Sequence, residues 1–143
     1  MKLKIKLVDP SMPLPSYQTL GSVAFDLYSR TDLKIMPKSL GFIPLNIIAE
    51  IEDKDYALLI VPRSSTPKKK GLLIPHGIGI IDHDFCGKND EIHFQCYNFS
   101  DKVVKIEKGE RVAQGLLVKI AVADIVEVKK TKQKSRGGFG STG

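Results

Sequence analysis

Apolar and polar residues alternate with a period of two along much of the chain. The alternation is clearest at 2–7, where lysines separate apolar residues, and at 92–97. Other short runs are apolar and rich in β-forming residues, separated by turn-forming segments: FIPLNIIAEI, YALLIVP, GIGII and GLLVKIAVADIVEV. No stretch keeps a helical apolar stripe for more than about two turns. The pattern predicts one compact all-β domain, a barrel or sandwich without internal repeats.

One short helical turn is predicted within RSSTPKKKG, near 66–70. Thr66 can cap it, Pro67 suits its first position, and Gly71 suits its exit. The N-terminus of this turn would present three polar side chains beside free backbone N–H groups: Arg63, Ser64 and Ser65. Such an arrangement binds phosphate well. By themselves these residues favour a surface turn whose arginine is merely solvated, because short serine-rich caps are common.

The segment PHGIGIIDHDFCG, at 75–87, combines two glycines with β-forming residues. This composition predicts a hairpin whose backbone is approached closely by another group. Asp82 and Asp84 follow it, and either could orient and deprotonate a water molecule or serve only as a turn carboxylate. Histidines and cysteines also crowd this region, but without C-x-x-C or H-E-x-x-H spacing. In a strand His93 and Cys96 would face opposite sides, so the spacing argues against zinc.

The charge is uneven along the 143 residues. The net charge is +6, and the five basic residues of 129–143 leave 17 basic and 16 acidic residues in 1–128. We therefore expect a nearly neutral domain at 1–128 and a basic, glycine-rich arm at 129–143, without a broad nucleic-acid-binding face. Cys86 and Cys96 suggest no disulfide framework. With no signal peptide and no apolar run of roughly 18 residues, the expected location is cytosolic.

Five segments resemble, in the correct order, the five motifs of the trimeric dUTP pyrophosphatases (dUTPases). They are AFDLYS at 24–29, PRSST at 62–66, GIGIIDHDFCG at 77–87, GERVAQGLL at 109–117 and RGGFGSTG at 136–143. Each motif is weak alone, but the ordered set covers almost the whole chain. The resemblance implies a dUTPase-like β-barrel or jelly roll that forms a homotrimer, with no membrane or stable nucleic-acid partner.

The resemblance also implies a reaction, in which dUTP and water give dUMP and pyrophosphate with Mg²⁺ on the phosphates. Asp82 would activate the water that attacks the α-phosphorus, and Asp26 would support the site through hydrogen bonds or metal-bound water. The phosphates would be held by Arg63, Ser64, Ser65 and Gln114. Uracil would be recognised by the backbone of Gly79, Ile80 and Ile81, with Phe85 beneath the deoxyribose. Such chemistry needs charge neutralisation and an aligned nucleophile more than covalent help from the protein.

The last motif would be a flexible lid over the nucleotide. Phe139 would stack on uracil, and the residues that follow it would hydrogen-bond the γ-phosphate: Gly140, Ser141 and Thr142. The charge of the γ-phosphate would be neutralised by Arg136 or Lys134. The family's arginine lies five residues before the Phe, where this chain has Lys134, whereas Arg136 lies three residues before it.

Two further departures separate the chain from the family pattern. Position 85 is Phe where the family usually has Tyr, and the KND segment at 88–90 is a small insertion after the third motif.

Two other functions compete with this reading. A related dCTP deaminase would need a glutamate as general base where this chain has Gln95, and an amide cannot accept that proton. A non-catalytic protein, either regulatory or bound to nucleic acid through its RGG sequence, would not need Asp82; RNA-binding RGG segments usually occur in several copies, and here there is one.

Overall fold

The computed structural model describes residues 2–138, which form eleven strands and one helix. The strands are β1 (Leu3–Leu7), β2 (Phe25–Tyr28), β3 (Leu33–Ile35), β4 (Leu40–Pro44), β5 (Ile47–Ile51), β6 (Tyr56–Pro62), β7 (Leu72–Leu73), β8 (Gly79–Ile81), β9 (His93–Asn98), β10 (Val104–Ile106) and β11 (Arg111–Lys119). The helix, α1, spans Thr66–Lys70. The all-β prediction with one short helix is confirmed.

The strands pair as four separate antiparallel sheets within the described residues. The largest has the order β2–β11–β6–β8, the next has the order β4–β9–β7, and two pairs join β1 to β5 and β3 to β10. The strands of 2–138 therefore do not join into one continuous closed barrel, so that part of the expectation is corrected. The sheets are joined by packing: buried side chains from all four share one core, among them Leu27, Ile43, Ile47 and Leu58.

Alternating segments behave as the sequence predicts. In β1 the lysines are exposed and the apolar residues partly buried, and in β9 Phe94 and Cys96 are fully buried while His93 is exposed. His93 and Cys96 thus face opposite sides, as expected. Both cysteines are free. Burial raises the pKa of the Cys96 thiol to about 11.

Two apolar runs are divided differently from the expectation. FIPLNIIAEI contains a break, because Asn46 has a left-handed backbone with φ of 63° and bonds with its side chain to the backbone of Asp9. GLLVKIAVADIVEV stays extended in a sheet only to Lys119; residues 121–128 form no strand and are exposed. The run is rich in Val and Ile, which favour strands, but none of the strands described above pairs with it.

The helix begins one residue earlier than its predicted cap implied. Ser65 is the N-cap residue, without a side-chain cap bond, and Thr66 lies inside the helix. Gly71 ends it as predicted, in the left-handed conformation with φ of 66° that a glycine adopts without strain. No helix within 2–138 is long and apolar enough to span a membrane.

A bidentate ion pair joins two distant loops. Arg30 donates from Nε and Nη2 to the two carboxylate oxygens of Glu91, each at 2.8 Å. Glu91 also accepts the backbone N–H of Asn46 at 2.9 Å. Burial alone would raise the pKa of Glu91, but these bonds outweigh it and leave the pKa lowered.

Candidate active site

A buried carboxylate organises the first, second and fourth motif-like segments. Asp26 lies on β2 and its side chain is 1% exposed. Its Oδ1 accepts from Arg63 Nε at 3.2 Å and from Gln114 Nε2 at 3.1 Å, and its Oδ2 accepts from Arg111 Nη1 at 3.1 Å. We call Asp26, Arg63, Arg111 and Gln114 the Asp26 cluster.

Arg111 belongs to this cluster but was missed as a site residue from the sequence. In a regular strand, positions 111 and 114 point to opposite faces of a sheet. Here β11 carries an irregularity: Arg111 pairs with Tyr28 and Ala113 with Leu27, so Val112 is an extra residue. The bulge brings the Arg111 side chain to the face on which Gln114 lies opposite Asp26. A bulge leaves no clear mark in the residue pattern.

The Asp26 cluster carries an excess of positive charge. One carboxylate faces two guanidinium groups, so a net charge of about +1 remains for a ligand. Only Nε of Arg63 is used, and its two terminal nitrogens have no acceptor within residues 2–138. Nη1 of Arg111, which donates to Asp26, also donates to Gln18 Oε1 at 3.0 Å. The arrangement suits an anionic ligand with several oxygen acceptors.

Ser64 and Ser65 follow Arg63 directly, between the end of β6 and the start of α1. Ser64 is exposed, and the Ser65 hydroxyl makes no capping bond, so it can bond to a ligand. Because α1 has only five residues, an anion bound here would depend on these side chains and the local N–H groups more than on a helix dipole.

The predicted uracil-reading segment lies at an edge of the largest sheet. Gly79, Ile80 and Ile81 form β8, which pairs with β6. Because β7 lies between these two strands in the sequence, they do not form a simple hairpin, and that expectation is corrected. A Cβ on Gly79 would lie 3.1 Å from Ile60, so the two backbones approach each other closely. Ile80 is 64% exposed.

Asp82 and Phe85 lie in the turn that follows β8. The N–H of Phe85 donates to the Asp82 carbonyl at 3.2 Å, and the Phe85 side chain is 40% exposed. The Asp82 carboxylate is exposed and makes no hydrogen bond within 2–138. The inserted residues close a second turn, in which Asp90 Oδ2 accepts from the N–H of Gly87 at 2.7 Å.

One chain does not bring Asp82 to the Asp26 cluster. Asp82 follows Ile81, which pairs with Leu58 of β6, so Asp82 lies beside Ala57. Asp26 pairs with Gln114, which in turn pairs with Val61 of β6. Four residues along the strands and three strand spacings across the sheet separate the two carboxylates by about 20 Å. The two predicted halves of the site therefore lie apart within one subunit.

No group of three or more His, Cys, Asp or Glu side chains within the described chain could hold a metal ion. Both oxygens of Asp26 already accept hydrogen bonds from the protein. A cation at this site would therefore be held mainly by the ligand's own oxygens or through water.

Comparison with known proteins decides the family. A family model described as dUTPase matches residues 11–143. The chain is 36% identical to the deoxyuridine 5'-triphosphate nucleotidohydrolase of Helicobacter pylori strain P12 over 145 residues, covering 100% of this chain and 97% of that protein. The corresponding protein of Acinetobacter baumannii strain ATCC 17978 is 35% identical over 151 residues, with 100% and 99% covered. The chain belongs to the dUTPase family.

Solved structures agree with this assignment. The dUTPase of Streptococcus mutans matches with a TM-score of 0.76 and 28% identity, over 84% of this chain and 98% of that chain. The dUTPase of Staphylococcus bacteriophage 80alpha with dUPNHPP matches with a TM-score of 0.84 and 23% identity, over 99% and 98%. The second likeness shows that the fold is shared.

Most of the C-terminal dUTPase motif lies outside the described residues. Four predicted contacts fall there: Phe139, Gly140, Ser141 and Thr142. Lys134 and Arg136 are described; both are exposed, in a segment without helix or strand. The choice between them as the phosphate-neutralising cation stays open.

Proposed function

We propose that the protein hydrolyses dUTP to dUMP and pyrophosphate. Membership of the dUTPase family supports the reaction. The Asp26 cluster carries the proposal structurally, because it holds two arginines and an amide at one place with a net positive charge. A triphosphate is the kind of ligand such a cluster binds. The reaction would limit uracil in DNA by removing dUTP, and it would supply dUMP for dTMP synthesis.

The phosphates are bound by the terminal nitrogens of Arg63, by Ser64 and Ser65, and by Gln114. Asp26 acts as a support, because its oxygens fix Arg63 and Gln114 in orientation before the ligand arrives. Pre-oriented donors do not have to reorganise as charge develops in the transition state. Arg111 joins this set as a second support for the phosphate side.

Asp82 is the general base. It accepts a proton from the water that attacks the α-phosphorus, and the bond from that phosphorus to the bridging oxygen breaks as pyrophosphate leaves. The exposed carboxylate, without a protein partner in 2–138, is available to a water molecule. Mg²⁺ on the phosphates would neutralise their charge.

Base and sugar are selected next to Asp82. The backbone of Gly79, Ile80 and Ile81 offers fixed donors and acceptors to uracil, with too little room for a thymine methyl group. Phe85 stacks beneath the deoxyribose and excludes a 2′-hydroxyl, but it lacks the phenolic hydroxyl of the usual tyrosine.

The active form is a homotrimer. The separation of about 20 Å between Asp82 and Asp26 means that a triphosphate site needs these groups from different chains. Apolar side chains that one chain leaves exposed could be covered by assembly: Leu40, Phe42, Val122, Ile125 and Val126. The last three belong to the segment 121–128, which pairs with no strand in the described part of the chain.

The chain is divided into a domain at 1–128 and an arm at 129–143, which closes over the nucleotide. Phe139 stacks on uracil, while Gly140, Ser141 and Thr142 bind the γ-phosphate beside Arg136 or Lys134. The two free cysteines suit a reducing compartment, and the cytosol is the proposed location.

The reaction is tested by measuring pyrophosphate release from dUTP, UTP, dTTP and dCTP in parallel with Mg²⁺ present. We expect release from dUTP alone. Asp82→Asn should lower turnover by about 10²–10⁴-fold while keeping substrate affinity, because the amide keeps the shape but not the proton acceptor. Ammonia from dCTP would point to a deaminase, and retention on single-stranded nucleic acid without hydrolysis would point to a binding protein.

The shared site is tested by mixing two inactive variants, Asp82→Asn and Arg63→Ala. Each variant by itself lacks one half of every site. If each site takes Arg63 from one chain and Asp82 from another, random co-assembly of equal amounts restores about one quarter of the sites. Equal mixtures that regain no activity after co-refolding would show that one chain supplies both groups.

A further inference from the structure

One side-chain hydrogen bond crosses from the Asp82 turn to the rest of the sheet. His83 Nε2 lies 2.7 Å from the backbone carbonyl oxygen of Tyr56, which is 27 residues earlier in the chain. A carbonyl only accepts, so Nε2 carries the proton and donates. Both residues are partly buried.

This bond takes the place of a missing backbone pair. β8 pairs with β6 from Gly79–Ile60 to Ile81–Leu58, and in the same register the next partners would be Asp82 with Ala57 and His83 with Tyr56. The chain turns away after Ile81, and the imidazole reaches back to the Tyr56 carbonyl. A backbone acceptor at the end of the ladder thereby keeps a donor.

The other hydrogen bonds of residues 82–90 are local. Phe85 bonds to Asp82, Cys86 Sγ lies 3.5 Å from the His83 carbonyl, and Gly87 and Asp90 bond to each other. Among the described hydrogen bonds of this segment, the one from His83 is therefore the bond that reaches outside it. The segment is also anchored where it leaves β8 and where Glu91, the residue that follows it, binds Arg30.

We propose that His83 is a positioning residue for Asp82, which rests on the proposed role of Asp82 as general base. Its bond to Tyr56 sets where the turn leaves the sheet, and the Asp82 carboxylate is attached one residue earlier. A displacement of about 1 Å in a reacting group can cost about 10²-fold in rate. The backbone of β8, which reads uracil in the proposed function, lies within the sheet ladder and does not depend on this bond.

Two variants separate the donor from the bulk of the side chain. His83→Leu removes the N–H but keeps a side chain of similar size, whereas His83→Gln places an amide N–H at a similar reach. We expect His83→Leu to lower kcat for dUTP at least about tenfold with KM changed less than about threefold. His83→Gln should recover most of the loss.

Backbone amide exchange provides a readout that does not depend on activity. In the unliganded protein, His83→Leu should speed exchange across residues 82–90 relative to the β6 and β9 amides, and His83→Gln should slow it again. If the leucine variant does not fold, His83→Asn replaces it, because its shorter amide cannot reach Tyr56.

Wild-type kcat and exchange in His83→Leu would overturn the inference, as would equal losses in His83→Leu and His83→Gln. The role of Asp82 is checked separately with Asp82→Asn. If Asp82→Asn turns over dUTP normally, the assignment of the base is wrong, whatever the His83 variants show. If Asp82→Asn is inactive and His83→Leu is fully active, only the inference about His83 fails.

Discussion

Replacing Asp26 with Asn should destabilise the protein, although the two side chains have nearly the same shape. The three donors of the Asp26 cluster converge on two oxygens, two on Oδ1 and one on Oδ2. Asparagine has one oxygen and one NH₂ group. With its oxygen towards Arg63 and Gln114, its NH₂ faces the N–H of Arg111; turned the other way, it loses two bonds.

The expected loss in the free energy of unfolding follows from the hydrogen bonds that either orientation of the asparagine gives up. A hydrogen bond to a charged group contributes about 1.5–3 kcal/mol, and an N–H facing another N–H adds a desolvation cost. Arg63 and Arg111 are 29% and 43% exposed, so water replaces part of what is lost. We expect a decrease in the free energy of unfolding of about 2–4 kcal/mol, or roughly 5–15 °C in Tm.

The assay is urea denaturation at one fixed protein concentration, because the proposed trimer would make stability depend on concentration. Asp101→Asn is the control, since it makes the same chemical change at a side chain that is 89% exposed and should lie within about 0.5 kcal/mol of wild type. Adding Arg111→Met to Asp26→Asn removes the opposed donor and should recover part of the loss, giving a coupling of about 0.5–3 kcal/mol. If Asp26→Asn is as stable as Asp101→Asn, the carboxylate does not hold the cluster together.

Two further substitutions test the packing of Gly115 against Phe25 and the pH dependence of the Arg30–Glu91 ion pair. A Cβ at Gly115 would lie 2.5 and 2.6 Å from ring atoms of Phe25, so Gly115→Ala should cost about 1–3 kcal/mol in urea denaturation; an unchanged midpoint would mean that the ring moves freely. Glu91→Gln should cost about 1–3 kcal/mol at pH 7. Because the folded-state pKa of Glu91 is lowered from its usual 4.5, its contribution is present above that pH and lost as pH falls through the folded pKa, so the difference from wild type should close in acid.

The period-two pattern predicted the strands well where one face of a sheet is buried. β1 and β9 alternate in the structure as they do in the sequence, because a strand with one buried face must place its apolar residues on that face. The same signal fails at 121–128, where the run includes β-forming residues but no strand of residues 2–138 pairs with it. Propensity indicates that a segment can form a strand, but a strand also needs a pairing partner, which the residue types of the segment do not reveal.

The site was only partly predictable. The family resemblance assigned Asp26, Arg63 and Gln114 to the site, and these three side chains meet as hydrogen-bonded partners. Arg111 was not predicted, because its orientation depends on the bulge at Val112. The His83 bond was missed for a similar reason, since it depends on where a strand ladder ends.

The two halves of the proposed site are held by different means, and their variants should fail in different ways. The Asp26 cluster joins β2, β11 and the end of β6 through a buried carboxylate, so damage there removes interactions that also stabilise the sheet. The Asp82 turn lies at the opposite edge of the sheet and is attached through the end of β8 and the His83 hydrogen bond. Substitutions there should therefore leave the fold intact and change only the position of the general base relative to the α-phosphorus. A phosphate-binding surface must be rigid before a charged ligand arrives, because its donors cannot reorganise cheaply afterwards. A base that acts on one water molecule needs only to be in the right place when the ligand is bound, and a few local bonds are enough for that.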